Sequence, residues 1–539
     1  MPTSSDDVTY LAPYLGGVSR TLTSKLAEYV TPEDFGAVGN GSADDTAAVQ
    51  AALDTGHHVL LLNHYRISST LIVKKRGQRI FGEAGTGTAT TERVNISVGS
   101  GSTITPVISV GAQAVTIQNV VIEGPGAGVA NSVLIFAQQE WNETGTGSIE
   151  NKGDVDLKIV ECALVRSYQI IRIKGRGLNV QTCNIAFFKH AIDIEWPDEN
   201  FVEGDNFDQT ALSGMRSYVI RNNRFHAGSD GYLVRNITSD NSENIHGLLF
   251  IGNYADTNCR IFTGKINESS FLDNILIHSN SKAFIFSITG GDSIRIAGNM
   301  FYGMTDNGLR PTEKDIKEGN KVVSTCEIMG GIQLADTSNV SIHGNHFKRV
   351  ERDVLSLNGE CRNILFQGNV MKDVCLDNNI LTEPLRYAVR VNNAVSTPAV
   401  GLIISENTVD NEEMARNAPM VGLPAGAGAL TGLVVRDNLL PSFMSTHDLP
   451  AATRQSVTNT TREALAYDGD GATSKTVTLR FAPVFVSVTI VTGMERGRTI
   501  AVSAGSTAGS DLVQISGRDV LLKGDWNVSG TTYTLHAFT

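Results

Sequence analysis

The chain is 539 residues long, with 53 glycines, 14 prolines, 6% aromatic residues and a formal net charge of −12. That length exceeds one ordinary globular core, so several domains or one elongated repeat architecture is expected, and the Gly-rich, Pro-poor balance suits short strands and turns better than helices. The acidic balance argues against a nucleic-acid-binding or anionic-membrane surface, and no apolar run approaches the ~20 residues that span a bilayer.

The N-terminus, MPTSSDDVTY, lacks a charged start followed by an apolar segment, so a soluble product made without export is expected, with no membrane insertion. Six cysteines (Cys162, Cys183, Cys259, Cys326, Cys361 and Cys375) are spread without CxxC or CxxH pairs. They read as reduced, mostly buried small residues; no metal and no cofactor is expected.

In chain order, the first informative stretch is DFGAVGNGSADDTAAVQAALDTG, residues 34–56. A tight Gly/Asn turn runs into a short amphipathic helix expected over 43–54. Ser42 or Asp44 can accept hydrogen bonds from the free N–H groups of its first turn, and the carboxylates of Asp44 and Asp45 suit the positive end of its dipole. Ala47, Ala48, Ala51, Ala52 and Leu53 supply a small-residue face. Locally this is an ordinary capped helix, but the whole phrase resembles the opening of the pectate-lyase-like superfamily of right-handed parallel β-helices. Just before it, YLAPYLGGVSRTLTSKLAEYVTPEDFGA resembles the lead-in of bacteriophage tailspikes. The resemblance implies a homotrimeric virion protein assembled in the host cytoplasm. It would act at the bacterial outer surface on a polysaccharide, O-antigen or capsule, and meet other phage tail or baseplate proteins through residues 1–30.

Beyond this stretch a phrase recurs: apolar, any, apolar, two of any, then usually Asn. It ends at Asn223, Asn253, Asn280, Asn299, Asn345, Asn369, Asn407 and Asn438, with variants ending at Val120, Cys162 and Cys183. From Cys162 the spacings are 21, 40, 30, 27, 19, 46, 24, 38 and 31 residues. A floor near 20 with large excursions fits a coil of minimal circumference with variable loops. Strand alternation puts the two apolar residues inward, and an Asn at a turn tolerates left-handed geometry and can bond the next coil. Stacked coils at ~4.8 Å per rung would form one continuous core. The fold class expected is all-β: a parallel β-helix over 31–445 with a short capping helix, a linker or cap over 446–475, and a C-terminal β-sandwich over 476–539 for trimerisation or glycan contact. The longest gaps (183–223, 299–345 and 369–407) mark loops leaving the coils, where binding and catalysis usually reside.

Hydrolysis of a glycosidic bond needs two carboxyl groups, ~5 to 5.5 Å apart for retention and ~6.5 to 9.5 Å for inversion. In AIDIEW, Ile192 and Ile194 fit inward positions, so Asp193 and Glu195 are expected outward on one side, with Trp196 able to stack on a sugar. The bland alternative is a solvated strand edge. A second pair comes from the repeat register, which places Asp336 and Glu360 on adjacent coils; capping of a turn explains Asp336 equally well. Both pairs are candidate catalytic residues, and Trp196 and Tyr232 are candidate substrate-binding residues. Elimination is the rival chemistry, needing a base and a cation; Tyr232, Arg235, His246 and Arg260 lie in the coil region without a spacing that singles them out. Pectate lyase signatures are missing, and the RIK of Arg172–Lys174 reads as chance. A non-enzymatic adhesin and a glycan deacetylase are the rivals from other classes; no Gly-x-Ser-x-Gly elbow supports the latter.

Overall fold

The computed structural model describes residues 7–11, 16–26, 28–83, 94–138, 140, 154–195, 218–229, 231–238, 245–278, 284–303, 330–350, 352–374, 387–392, 399–410, 420–423, 430–438, 447–448, 462–468, 470–478, 485–490, 499–503, 513–516, 519–523, 527–529 and 531–538. The chain divides into two units, one made of residues 1–333 with 346–351 and the other of 334–345 with 352–539.

In the first unit, after short strands at Thr9–Leu11, Ser19–Thr21 and Tyr29–Val30 and a five-residue helix Leu22–Leu26, comes the helix Thr46–Asp54, which buries Ala48, Val49, Ala52 and Leu53. Asp44 caps it as expected, accepting from the Thr46 N–H at 3.1 Å. Ser42 does not; its hydroxyl donates to Asn40. Asp45 has a different task. Its carboxylate turns back to accept from the N–H groups of Val38 (2.7 Å) and Gly39 (3.1 Å), and so ties the Gly/Asn turn to the helix. Two part-buried backbone donors of the turn thereby find an acceptor.

From there the chain winds through strands that pair in parallel with the previous and the next coil. One inward column runs Ile171, Ile192, Val234, Phe262 and Phe286, each residue directly opposite the next. Across the interior, six buried phenylalanines (225, 250, 271, 286, 301 and 347) touch in succession, with centroid separations of 6.1, 6.0, 5.0, 5.8 and 5.1 Å. The period-two burial of the strands follows from this stacking: every second side chain enters the interior and meets its counterpart one rung away.

The recurring Asn forms a ladder. In the first unit the Asn223 carboxamide accepts from the Cys183 N–H, and Asn223, Asn253 and Asn274 each send their own N–H to the carboxamide oxygen of the next Asn, ending at Asn299. Each Nδ2 also donates to that oxygen and to a main-chain carbonyl. Asn345, Asn369, Asn407 and Asn438 repeat the arrangement in the second unit. Two details differ from the sequence reading. The left-handed residue is the one before the ladder position, as at Thr182, Asn222, Gly252, Asp273 and Glu406, while the ladder Asn is buried beneath it. And the rung between Asn253 and Asn299 is Asn274; Asn280 lies outside the described residues. With that change the spacings become 21 and 25 residues, and the sequence interval of 19 disappears.

The second unit continues with parallel coils, shown by the column Val340, Ile364 and Leu402. It ends in two antiparallel sheets. Arg462–Asp468, Phe485–Ile490, Thr499–Ser503 and Thr532–Phe538 form one; Ser474–Thr478, Val513–Ser516 and Asp519–Lys523 form the other. Val486, Val488, Tyr533 and Leu535 of the first meet Val513, Val520 and Leu522 of the second in one core, making a sandwich. It begins at Arg462 rather than at 476, because that strand pairs along its length with the last one. The four described cysteines, Cys162, Cys183, Cys259 and Cys361, are buried free thiols. Among the described residues no helix is long and apolar enough to cross a membrane.

Candidate functional site

A polar cluster of the first unit sits on the outward side of four successive strands: Ala163–Lys174, Asn184–Glu195, Tyr232–Asn236 and Arg260–Gly264. Register builds it as columns. Arg172, Asp193 and Arg235 stand opposite one another on three coils, and Gln169, His190, Tyr232 and Arg260 on four. Parallel in-register pairing places side chains from distant sequence about one rung, ~4.8 Å, apart.

Asp193 is fully excluded from solvent. Arg235 grips it in a fork, Nε to Oδ1 at 2.7 Å and an Nη to Oδ2 at 2.6 Å, while the Gln169 amide donates to Oδ2 at 2.5 Å. The strand alternation points it outward as expected, but it does not face solvent: the cation and amide of the neighbouring coils close over it. Glu195, two residues on, keeps 20% exposure and is held by Arg172 at 3.1 and 2.6 Å, with Lys174 at 3.9 Å. Trp196 lies outside the described residues. Arg172 and Lys174, taken as a chance motif in the sequence, are the partners of Glu195.

Around the other column, His190 has its edge against Tyr168 at 5.4 Å and stacks on Tyr232 at 6.1 Å. The Arg260 guanidinium lies 4.4 Å from the centre of the Tyr232 ring and donates to its hydroxyl. Gly231 permits this approach, since a Cβ there would fall 1.6 Å from the Lys189 carbonyl oxygen. Burial, and then the positive charges of Arg235, Lys189 and Arg260, push His190 down to about 3. The imidazole is therefore neutral at physiological pH, and its Nδ1 is buried without a hydrogen-bond partner. His190 was missed by sequence reasoning; only alignment of 184–195 against 232–236, coil to coil, brings it to Tyr232. His246 stays apart, on strand Ile245–His246 beside Asn267.

The depressed His190 has a consequence for stability. The unfolded chain takes up the proton near pH 6.5 and the folded chain only near pH 3, so stability is complete above 6.5 and falls as pH drops through that window. Denaturation at pH 7 and pH 4 is expected to show a His190→Gln variant losing about 2 kcal/mol less than the parent between the two. Equal losses would remove His190 from the acid response.

In the second unit Asp336 and Glu360 do lie on adjacent coils, but in different roles. Asp336 has a left-handed backbone and its Oδ1 accepts the Glu360 main-chain N–H at 2.8 Å. Gly359, also left-handed, leaves room for that carboxylate, whose oxygen would lie 2.2 Å from a Cβ. The Glu360 side chain is exposed and turns to Arg362 at 2.7 Å. Asp336 thus caps a turn, as the bland reading had it. No group of three or more metal-ligating side chains occurs among the described residues.

No family model matches the chain, and no curated protein matches it. Solved structures similar to it include the Azotobacter vinelandii mannuronan C-5 epimerase AlgE6 A-module, at 14% identity over 78% of this chain and 99% of that one, with a TM-score of 0.47. The Dettilon tailspike protein (gp208) is 12% identical over 96% and 95% of the two chains, TM-score 0.45. A tailspike protein of E. coli bacteriophage HK620 is 11% identical over 100% and 98%, TM-score 0.47. The fold itself stands on the coil pairing: this chain is a right-handed parallel β-helix with a C-terminal antiparallel sandwich.

Proposed function

We propose that this chain is a phage tailspike that binds and depolymerises a bacterial surface polysaccharide, and that it does so on the outward face built by Gln169–Lys174, His190–Glu195, Tyr232–Arg235 and Arg260. The observation that carries the reading is the convergence there of a neutral imidazole, a tyrosine hydroxyl held by an arginine, and two arginine–carboxylate pairs on consecutive coils. The homotrimer, the O-antigen or capsule as target and attachment to other tail proteins belong to the same proposal.

Elimination is the chemistry this arrangement supports best. A base removes the proton α to a uronate carboxylate, the electron pair forms the ring double bond, and the glycosidic oxygen leaves with a proton from an acid. Tyr232 is the candidate for proton transfer, with the neutral His190 ring stacked on it, and Arg260 beside Tyr232 can meet developing negative charge. Hydrolysis by Asp193 and Glu195 is the second reading, favoured by their shared strand face and by the partial exposure of Glu195. Against it stands the full burial of Asp193.

The purified chain incubated with O-antigen and capsule preparations separates the cases. New reducing ends with the absorbance of an unsaturated uronate support elimination. Reducing ends alone support hydrolysis, acetate alone a deacetylase, and binding without any product an adhesin. Where elimination holds, Tyr232→Phe is expected to lower kcat about 10²- to 10³-fold with little change in KM. Normal turnover in that variant would remove Tyr232 from the chemistry.

A further inference from the structure

Resting on the polysaccharide reading, we infer that a second saccharide-binding site, selective for a sugar that carries a carboxylate, lies in the cleft lined by Asn222, Asn223, Arg224, Gly252 and Tyr254. The cleft is a shallow, open hollow with a volume of about 480 Å³. It is separate from the His190 column: strand Asn184–Glu195 starts opposite Arg224 and reaches Tyr232 only at His190, six residues further on.

Its lining mixes polar and apolar surface. Asn223 belongs to the ladder and is fully bonded. Asn222, by contrast, has a left-handed backbone and an exposed amide. Gly252, also left-handed, leaves room for the Asn222 carboxamide oxygen beside it, since a Cβ there would lie 2.5 Å from it. Arg224 and Tyr254 stand directly opposite one another on adjacent coils. The guanidinium sits 6.0 Å from the ring centre. Among the described residues no carboxylate pairs with Arg224, whereas Arg166, Arg172, Arg235 and Arg362 each hold an acid.

Each part suits one feature of an acidic sugar. The tyrosine ring offers a face for the C–H side of a pyranose. The guanidinium offers a planar fork that matches a carboxylate in two hydrogen bonds. The Asn222 amide can donate to and accept from ring hydroxyls. A neutral sugar would use the ring and the amide and leave the arginine unmatched, so discrimination resides in Arg224.

Ligand-observed saturation-transfer NMR on the full chain tests this, with D-glucuronate as acidic probe and D-glucose as neutral one. Glucuronate is expected to take saturation from the parent, and to lose it roughly threefold in Arg224→Gln and in Tyr254→Ala, while glucose responds weakly in all three. Undiminished transfer in Arg224→Gln, or equal transfer to the two sugars in the parent, overturns the site; the arginine variant settles the matter even if Tyr254→Ala is poorly folded. Tyr232→Phe is expected to leave this signal unchanged. Absence of cleavage by the parent on every polysaccharide would sink the depolymerase reading while glucuronate binding dependent on Arg224 would still stand.

Discussion

Asp193→Asn is expected to abolish turnover to within about 1% of the parent and to destabilise the first unit by about 3 to 5 kcal/mol. The second figure is the usual cost of removing one partner from a buried ion pair, because Arg235, largely withdrawn from solvent, is left without its counter-charge. The first follows from position. Asp193 touches Arg235 and Gln169, not solvent, and so fixes the guanidinium and the strand Tyr232–Asn236 that carries Tyr232. A positioning role predicts that kcat falls and that Asp193→Glu recovers part of it, whereas an acid–base role predicts a changed pH profile in whatever activity remains. Equilibrium unfolding together with kcat on a cleavable polysaccharide decides it. Full activity with full stability would mean that the fork is idle.

The largest loss of stability is expected from Asn274→Ala. The Asn274 carboxamide oxygen accepts both the main-chain N–H and the Nδ2 of Asn253, and its own Nδ2 donates to the Phe250 carbonyl and to Asn299. Truncation orphans several buried groups on two rungs at once, each worth about 1 to 3 kcal/mol, so a total near 4 to 6 kcal/mol is expected. Asn222→Ala, on the exposed left-handed position beside the ladder, is the control and should cost under about 1 kcal/mol. Urea unfolding of the two variants makes the comparison; similar midpoints would show that the ladder oxygen is replaced by water.

The coils were legible in the sequence because inward packing repeats the same demand at every turn: two apolar residues, a left-handed corner, an amide underneath. The misplaced rung shows where such reading slips. ILIHSN matches the phrase by composition, yet the strand Ile275–His278 follows the corner at Asn274, and only the pairing of Leu272 with Ala297 fixes that register. The polar face was legible in part. Asp193 and Glu195 can be assigned to one face by alternation, but their burial is decided by Arg172 and Arg235, whose distance in sequence depends on loop lengths that pattern does not determine. His190 left no local signal, since its neutrality comes first from burial and then from the charges of Arg235, Lys189 and Arg260, two of them on later coils. The antiparallel partner of Arg462–Asp468 lies at the far end of the sandwich, so the strand read as linker.

The ladder also governs rates. Rungs that touch are separated by 21 to 40 residues of chain, as between Asn253 and Asn274 or Cys183 and Asn223, so each must wait for a long segment to close before any contact repays it. Assembly is then slow, and escape is slow for the same reason: a coil bonded on both sides cannot loosen alone, and opening has to begin at an end. The lifetime of the folded chain is then set by that barrier rather than by the equilibrium between folded and unfolded chains. Loops of differing length between corners change how fast the coils close, while the bonded rungs that hold the folded chain together stay the same.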